Sequence, residues 1–534
     1  MTEHQTTVTS VRFRLGSFAI SLVALITIWA WPEIQGLSPE GKRLAAVGVM
    51  MAILWSTQSL PLAVTSIIPL VAFPLLAIQS ASIVSKAYMS SVILLFFAGF
   101  AIALGVERWG LHKRLALLCL LATGTSPKRI VLGFMLATGL LSMWISNTAA
   151  TLLMLPIALA VITSVSQPDE KNGNAQTVES TTISKFAAAL LLGIAYSASI
   201  GGLSTLIGTP TNAVYAGYWA ESGASPQELQ RYSVSSGQWL LMFLPVSASL
   251  FIAAWVLVCL PIWKGVTFND QAKTVILQRY RALGKLEGGE RLMLFVFLTT
   301  ALLWISRASI NIGGFVIPGW ESGLTLLIQA FHPTFHYKGL LHDSTAGLAM
   351  LILMFLIPVR HKETKQYEYL MDWETIEKKT PWGILLLFGG GFAIAGACTS
   401  TGLSVWLGEI LAENIEPMGS TMQIFSVSTL VIYLTEFTSN TATINTLLPV
   451  LKETAVALSL DPRKLMLPAT IAASCAFMLP IATPPNAIVF SANRLSVWQM
   501  IRTGFWLNII GIFIVTLITL NWSLQIGRID EFVK

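Results

Sequence analysis

The sequence predicts an all-α polytopic membrane protein with eleven transmembrane helices plus two re-entrant hairpins in an inverted repeat. Three observations lead there. Only 11% of the 534 residues are charged while 54% are apolar, whereas a soluble protein carries about 25% charged residues. Apolar runs long enough to cross a bilayer recur along the whole chain. Short motifs of the first half return in the second, flanked by loops of opposite charge. A mean hydropathy of +0.69 would leave more hydrocarbon on a solvated surface than a soluble enzyme tolerates.

Runs of span length lie near 15–31, 41–58, 61–79, 89–107, 186–217, 237–262, 291–309, 345–359, 381–398, 465–490 and 501–523. The first follows Arg12 and Arg14 as a signal peptide would, but it lacks a small-residue cleavage site and is taken as a span. The stretches 130–165 and 423–458 are each broken by Ser-Asn-Thr. Their arms of about 16 residues reach about 24 Å, short of a hydrocarbon core about 30 Å thick. They are expected to be hairpins whose tips stop inside the protein, beside a cavity.

Basic residues orient the chain. The segments 108–129, 263–291 and 360–379 are rich in Lys and Arg and should be cytoplasmic. The segments 218–230 and 399–423 hold Glu but no Lys or Arg and should be external. Eleven spans then put the N-terminus in the cytoplasm and the C-terminus outside. The polar loop 166–184 is expected to be a disordered cytoplasmic insertion. The net charge of +6 sits in short clusters, not in a stripe that could follow phosphates, so no nucleic-acid partner is expected. Cys119, Cys259, Cys398 and Cys475 lie in apolar runs at no metal-like spacing and are read as buried hydrophobes.

Gly99-Phe100-Ala101-Ile102-Ala103 recurs as Gly391-Phe392-Ala393-Ile394-Ala395, and Ser146-Asn147-Thr148-Ala149 as Ser439-Asn440-Thr441-Ala442. Thr209-Pro210-Thr211-Asn212-Ala213 recurs as Thr483-Pro484-Pro485-Asn486-Ala487. The loop after the first Gly-Phe-Ala-Ile-Ala is basic and the loop after the second is acidic, so the repeats 41–262 and 291–523 should insert with opposite orientation. Interrupted helices at matching places in inverted repeats are the sequence pointer to a secondary transporter with its site at the repeat interface.

Ser, Asn or Thr at a helix break can cap the second arm and leave its first N–H groups facing a cavity, where a helix end carries about half a positive charge. Two such tips can hold two carboxylates without Lys or Arg. Ser142 and Ser146 share a face of the first hairpin arm, and Thr435 and Ser439 repeat this in the second. Their hydroxyls either ligate two monovalent cations or bond back to their own backbone. The Thr-Pro segments are either Pro kinks or unwound segments lining the site, and the repeat favours the second. Glu436, three residues before a tip, is expensive at that depth, and either takes part in function or pairs structurally with a hairpin amide or hydroxyl. The six His sit in loops or at span ends, away from any nucleophile or carboxylate cluster, so an intramembrane enzyme is not expected.

With these motifs, the chain resembles the divalent anion/sodium symporter family, which carries di- and tricarboxylates or sulfate. Further carriers of the resemblance are Glu107-Arg108-Trp109-Gly110-Leu111-His112-Lys113-Arg114, Thr435-Glu436-Phe437-Thr438 ahead of the second Ser-Asn-Thr, and the run from Ala473-Ser474 through Phe477, Pro480 and Asn486 to Val489. The resemblance implies an elevator-type transporter with scaffold and transport domains, working as a homodimer among membrane lipids. It also implies one sodium site at Ser142, Ser146, Asn147 and Gly208, and a second at Thr435, Thr438, Asn440 and Ala482. Substrate would lie between Asn147, Thr148, Thr209, Ser439, Asn440, Thr441 and Pro484. The chain departs from the family pattern at Gln58, where Glu is usual, and at Thr211, which replaces a Pro.

The expected function is sodium-driven import of a C4-dicarboxylate (succinate, malate or fumarate) or a related di- or tricarboxylate across the plasma membrane, the inner membrane in a bacterium. A dicarboxylate exchanger of the same fold and a sodium/sulfate symporter are the alternatives. No enzymatic activity is expected.

Overall fold

The computed structural model describes residues 2–124, 126–166, 180–221, 224–263, 271–312, 315–332, 340–360 and 366–529. Most of the expected polar loop 166–184 lies outside the described residues, and its last five residues open a helix. The helices that position the site begin with α1 (Thr2–Ala30), α2 (Pro39–Thr57) and α3 (Ser91–Arg108). A pair comes next, α4 (Pro127–Ser142) and α5 (Asn147–Ser166), then α6 (Ser180–Gly202) and α7 (Pro210–Glu221), separated by turns. After these stand α8 (Ser236–Cys259), α9 (Gly288–Ile305), α10 (Asp343–Leu356) and α11 (Trp382–Thr401). A second pair, α12 (Ser420–Thr435) and α13 (Asn440–Ala457), precedes α14 (Arg463–Ala472) and α15 (Pro484–Phe490), and α16 (Val497–Ile529) ends the bundle.

Among the described residues, 8 helices are long and apolar enough to cross a membrane. The count is 9 if Leu403–Ile415 and Ser420–Thr435, bent by 117° at their junction, form one span. Several expected elements differ. The run 61–79 is two short helices, Leu62–Thr65 and Ile68–Leu75, because Pro69 has no N–H to continue the first and its ring crowds the carbonyl four residues back. The run 345–359 is helical only as α10, whose 14 residues span about 21 Å, short of a membrane core. It stops ahead of Pro358, where the strand Pro358–Arg360 pairs antiparallel with Tyr367–Tyr369. A second small strand pair joins Ile310–Ile312 to Phe315–Ile317, so the fold is helical with two strand hairpins and not purely all-α. The segment 399–423 contains the helix Leu403–Ile415, and 108–129 contains Leu111–Thr123. Gln58 closes α2 in the left-handed region at φ 49°.

α6 lies at the centre. Its apolar window is 83% buried, whereas that of α1 is 11% buried and lies at the periphery. Within a bilayer, helices associate by close packing and not by expulsion of water, so small residues decide where backbones meet. A Cβ on Gly201 of α6 would meet the Gly139 carbonyl of α4 at 2.2 Å, so the hairpin arm lies backbone-on-backbone against α6. The second arms cross over: α5 packs on α15, and α13 on α7. Away from this centre the buried charges are paired. Arg114 holds both oxygens of Glu290, at 3.1 and 2.9 Å, together with the carbonyls of Leu283 and Gly284.

Candidate functional site

The first tip is Met143 to Ser146, between α4 and α5. Ser146 Oγ accepts the N–H of Ala149 at 3.2 Å, capping α5. That bond satisfies the third N–H of the helix, leaving the N–H groups of Asn147 and Thr148 without partners inside it. The Asn147 amide faces Gly208 O, Ala198 O and Ser142 Oγ. Two of these are pure acceptors, so the Nδ2 end faces them, at 3.2, 3.2 and 2.6 Å. Ser142 Oγ in turn donates to Ala198 O at 2.6 Å. The first expected sodium set is thereby drawn together: Ser142, Asn147 and Gly208 share bonds, and Ser146 caps the same turn.

The segment between α6 and α7 folds back on itself. A Cβ on Gly208 would meet Gly202 O at 2.5 Å, so only glycine fits at this approach. Asn212 holds the turn shut: its Nδ2 donates to Gly202 O at 3.1 Å and to Thr205 O at 2.8 Å. The Thr205 hydroxyl donates to the Met143 carbonyl and ties the turn to the hairpin tip. Thr209, 5% exposed, sits inside this turn.

The second tip, Glu436 to Ser439, repeats the cap: Ser439 Oγ accepts from Ala442 N at 3.4 Å. Asn440 and Thr441 occupy the first two positions of α13. The Thr435 hydroxyl donates to Val431 O or Ile432 O of its own helix, and that of Thr438 bonds Leu434 O and Thr443 Oγ1. Donation uses only the proton, so lone pairs on both oxygens remain. Ala482 stands in the segment between α14 and α15, and Pro484 opens α15 on the surface. Among the described residues no hydrogen bond links Thr435 or Thr438 to Ala482; the tip is joined to this segment through Glu436 instead.

Glu436, 1% exposed, accepts the N–H of Met478 at 2.8 Å, the N–H of Leu479 at 3.0 Å and Asn508 Nδ2 at 2.7 Å. Its partners are thus the amides of the unwound segment and of α16, not those of the hairpin. Asn486 donates to Leu479 O at 3.0 Å and to Ala476 O at 3.4 Å, repeating the bonds of Asn212. The two interrupted runs also touch, because Thr211 Oγ1 and Ser474 Oγ bond at 2.7 Å in the interior. The roles of Asn212, Asn486, Ser474 and Asn508 escaped the sequence reasoning. For the first two a signal existed, since both fall in the repeated Thr-Pro motif.

The groups bonded at the two tips are hydroxyls, amides and carbonyls, with Glu436 the charged member. Asn212, Asn440 and Asn486 each have a buried Oδ1 without a hydrogen-bond partner. An unpaired carbonyl oxygen in an apolar interior costs about 1–3 kcal/mol, and it is the donor a hard monovalent cation takes.

Two helix pairs, each broken at a Ser-capped turn and fastened to an interrupted helix in a bundle of helices long and apolar enough to cross a membrane, define an integral membrane protein of the discontinuous-helix transporter class. The chain belongs to the sodium:sulfate symporter family, whose transmembrane-region model matches residues 14–528. It is similar to the sodium-dependent dicarboxylate transporter SdcS of Staphylococcus saprophyticus, 36% identical over 490 residues, covering 91% of this chain and 86% of that one. The same figures hold for SdcS of Staphylococcus aureus. Among solved structures it is similar in fold to Neisseria gonorrhoeae MtrF, with a TM-score of 0.51 at 12% identity over 96% of this chain and 94% of that one.

Proposed function

We propose that the protein imports C4-dicarboxylates such as succinate, malate and fumarate, or related di- and tricarboxylates, by sodium symport. The observation that carries this is the chemistry of the two tips: at each, a capped helix N-terminus stands beside hydroxyls and amides, with no Lys or Arg bonded there among the described residues. Two helix ends supply about one positive charge, less than a dianion carries, and co-bound sodium supplies the rest. Its dicarboxylate-transporting relatives support the substrate class.

Sodium is cargo here. One ion is assigned to Ser142, Ser146, Asn147 and Gly208, another to Thr435, Thr438, Asn440 and Ala482. The substrate is assigned to Asn147, Thr148, Thr209, Ser439, Asn440, Thr441 and Pro484. Cations order the tips, the dianion binds, and the loaded transport domain moves past the scaffold as an elevator. Eleven spans, hairpins at 130–165 and 423–458, repeats at 41–262 and 291–523, a cytoplasmic N-terminus, an external C-terminus and a homodimer in the plasma membrane complete the proposal. Two sodium ions only neutralise a dianion, so a third is needed for net inward charge.

Uptake of labelled succinate into proteoliposomes, with and without an inward sodium gradient, tests this. Sodium-independent uptake that requires internal dicarboxylate would refute symport and establish exchange. A second substrate is favoured by the family itself, whose description names sulfate; competition by unlabelled sulfate separates it from the dicarboxylates.

A further inference from the structure

A cleft of about 640 Å3 opens where α6 begins, α8 ends and α16 begins. Buried Ala189, Leu192 and Val258 wall its depth, while Lys185 and Arg502 stand exposed at its mouth beside Trp506. A second cleft, of about 470 Å3, shares Gln499 with the first and adds exposed Arg494. Neither is lined by Asp or Glu among the described residues. Among those residues the three cations make no hydrogen bond or ion pair. Lys128 also stands at this end of the bundle, its Nζ 4.5 Å from the ring of Trp263, two residues beyond Pro261 of the cleft wall.

An apolar slot with unpaired cations and an exposed indole at its mouth matches one class of ligand: an acidic head on a hydrocarbon chain. We propose that this cleft binds an anionic phospholipid of the inner leaflet, its phosphate between Lys185 and Arg502 and an acyl chain along Leu192 and Val258. Only the choice of leaflet rests on the orientation proposed above. The site lies on helices flanking the first hairpin, apart from the tips. A zwitterionic lipid offers the same chain but balances the phosphate with its own cation, so discrimination comes from Lys185 and Arg502. At about 1 kcal/mol per cation, the pair amounts to a preference of roughly thirtyfold, and of at least about tenfold where one cation is partly screened.

The test uses the full chain in neutral detergent, titrated with phosphatidylglycerol, with phosphatidylcholine of the same chains, and with inorganic phosphate, bound lipid being counted by native mass spectrometry. Phosphatidylglycerol should bind at least about tenfold tighter than phosphatidylcholine. Lys185→Gln with Arg502→Gln should erase the difference, and Lys185→Arg with Arg502→Lys should keep it. Should the Gln pair fail to fold, Gln499→Trp, which narrows the wall shared by both clefts, should weaken phosphatidylglycerol instead. Equal binding of the two lipids, or phosphatidylglycerol binding indifferent to the Gln pair, overturns the proposal. Displacement of lipid by millimolar inorganic phosphate overturns it in favour of a soluble phosphate. None of these readings depends on sodium-driven uptake.

Discussion

Asn212 and Asn486 make the same pair of bonds in two interrupted helices: each amide nitrogen reaches the carbonyls seven and ten residues earlier, and each Oδ1 is left buried without a partner. The donor half of each amide thus holds a turn closed while the acceptor half is kept free. Asn→Asp at either position keeps the size and removes both donors, and the turn carbonyls then face a carboxylate. Each variant should lose about 1–3 kcal/mol of stability for the carbonyls left unpaired. Sodium activation of uptake should move to higher concentration, because the turn containing Gly208 or Ala482 is no longer held. Thermal unfolding and a sodium titration of uptake check this. Unchanged sodium activation in both variants would separate the turns from the cation sites.

Glu436 joins the second tip to the unwound segment through Met478 and Leu479, and is expected to act by positioning the two. Glu436→Gln leaves one carbonyl oxygen to serve two backbone N–H groups and sets an NH2 against a donor. Stability should fall by about 1–3 kcal/mol per orphaned donor, while the folded fraction keeps its sodium dependence. A variant of normal stability whose sodium dependence is altered would instead mark the carboxylate as a cation ligand.

The two helix breaks were legible because Ser-Asn-Thr both interrupts an apolar run and caps the next helix, and because the motif occurs twice; the arm length was not, since α5 runs 20 residues and is itself long enough to cross a membrane. The Thr-Pro breaks were legible for the same reason. The partners of Glu436 were not: Met478 lies 42 residues on, and local periodicity says nothing of which N–H groups an unwound segment will present. The division of 61–79 does not show in its hydropathy although its cause, Pro69, stands in the sequence, because a missing donor leaves the apolar character of the run unchanged. The short helix Leu403–Ile415 is hidden in the sequence because Glu409 and Glu413 give the stretch between two apolar runs the polarity of an acidic loop.

Thr211 and Ser474 are 263 residues apart and join the two interrupted helices through one buried bond. Thr211→Val keeps the shape and leaves the Ser474 hydroxyl unpaired, and Ser474→Ala does the reverse. Each should cost about 1–3 kcal/mol, and the double variant should cost less than the sum by about 0.5–3 kcal/mol, as expected for groups in direct contact. Denaturation of the four proteins in one detergent measures the coupling. Additive losses would mean that the hydroxyls do not act on each other.

Asn147 and Asn440 begin the second arms of the hairpins and belong to both the proposed cation and substrate sets. If sodium binds at both tips, it stabilises the folded protein by mass action, by about 2.7 kcal/mol per site at a concentration one hundred times its dissociation constant. Replacing choline with sodium should therefore raise the unfolding temperature. Asn147→Ala and Asn440→Ala should each remove about half of that rise and abolish uptake; without sodium, Asn440→Ala should change unfolding little, since the cap belongs to Ser439, whereas Asn147→Ala should also lose about 1–3 kcal/mol for the Gly208 and Ala198 carbonyls its amide served. Uptake and the sodium-dependent shift must fail together. Loss of uptake with the full shift retained would place the residue on the substrate alone, and normal sodium-dependent uptake in both variants would refute the site.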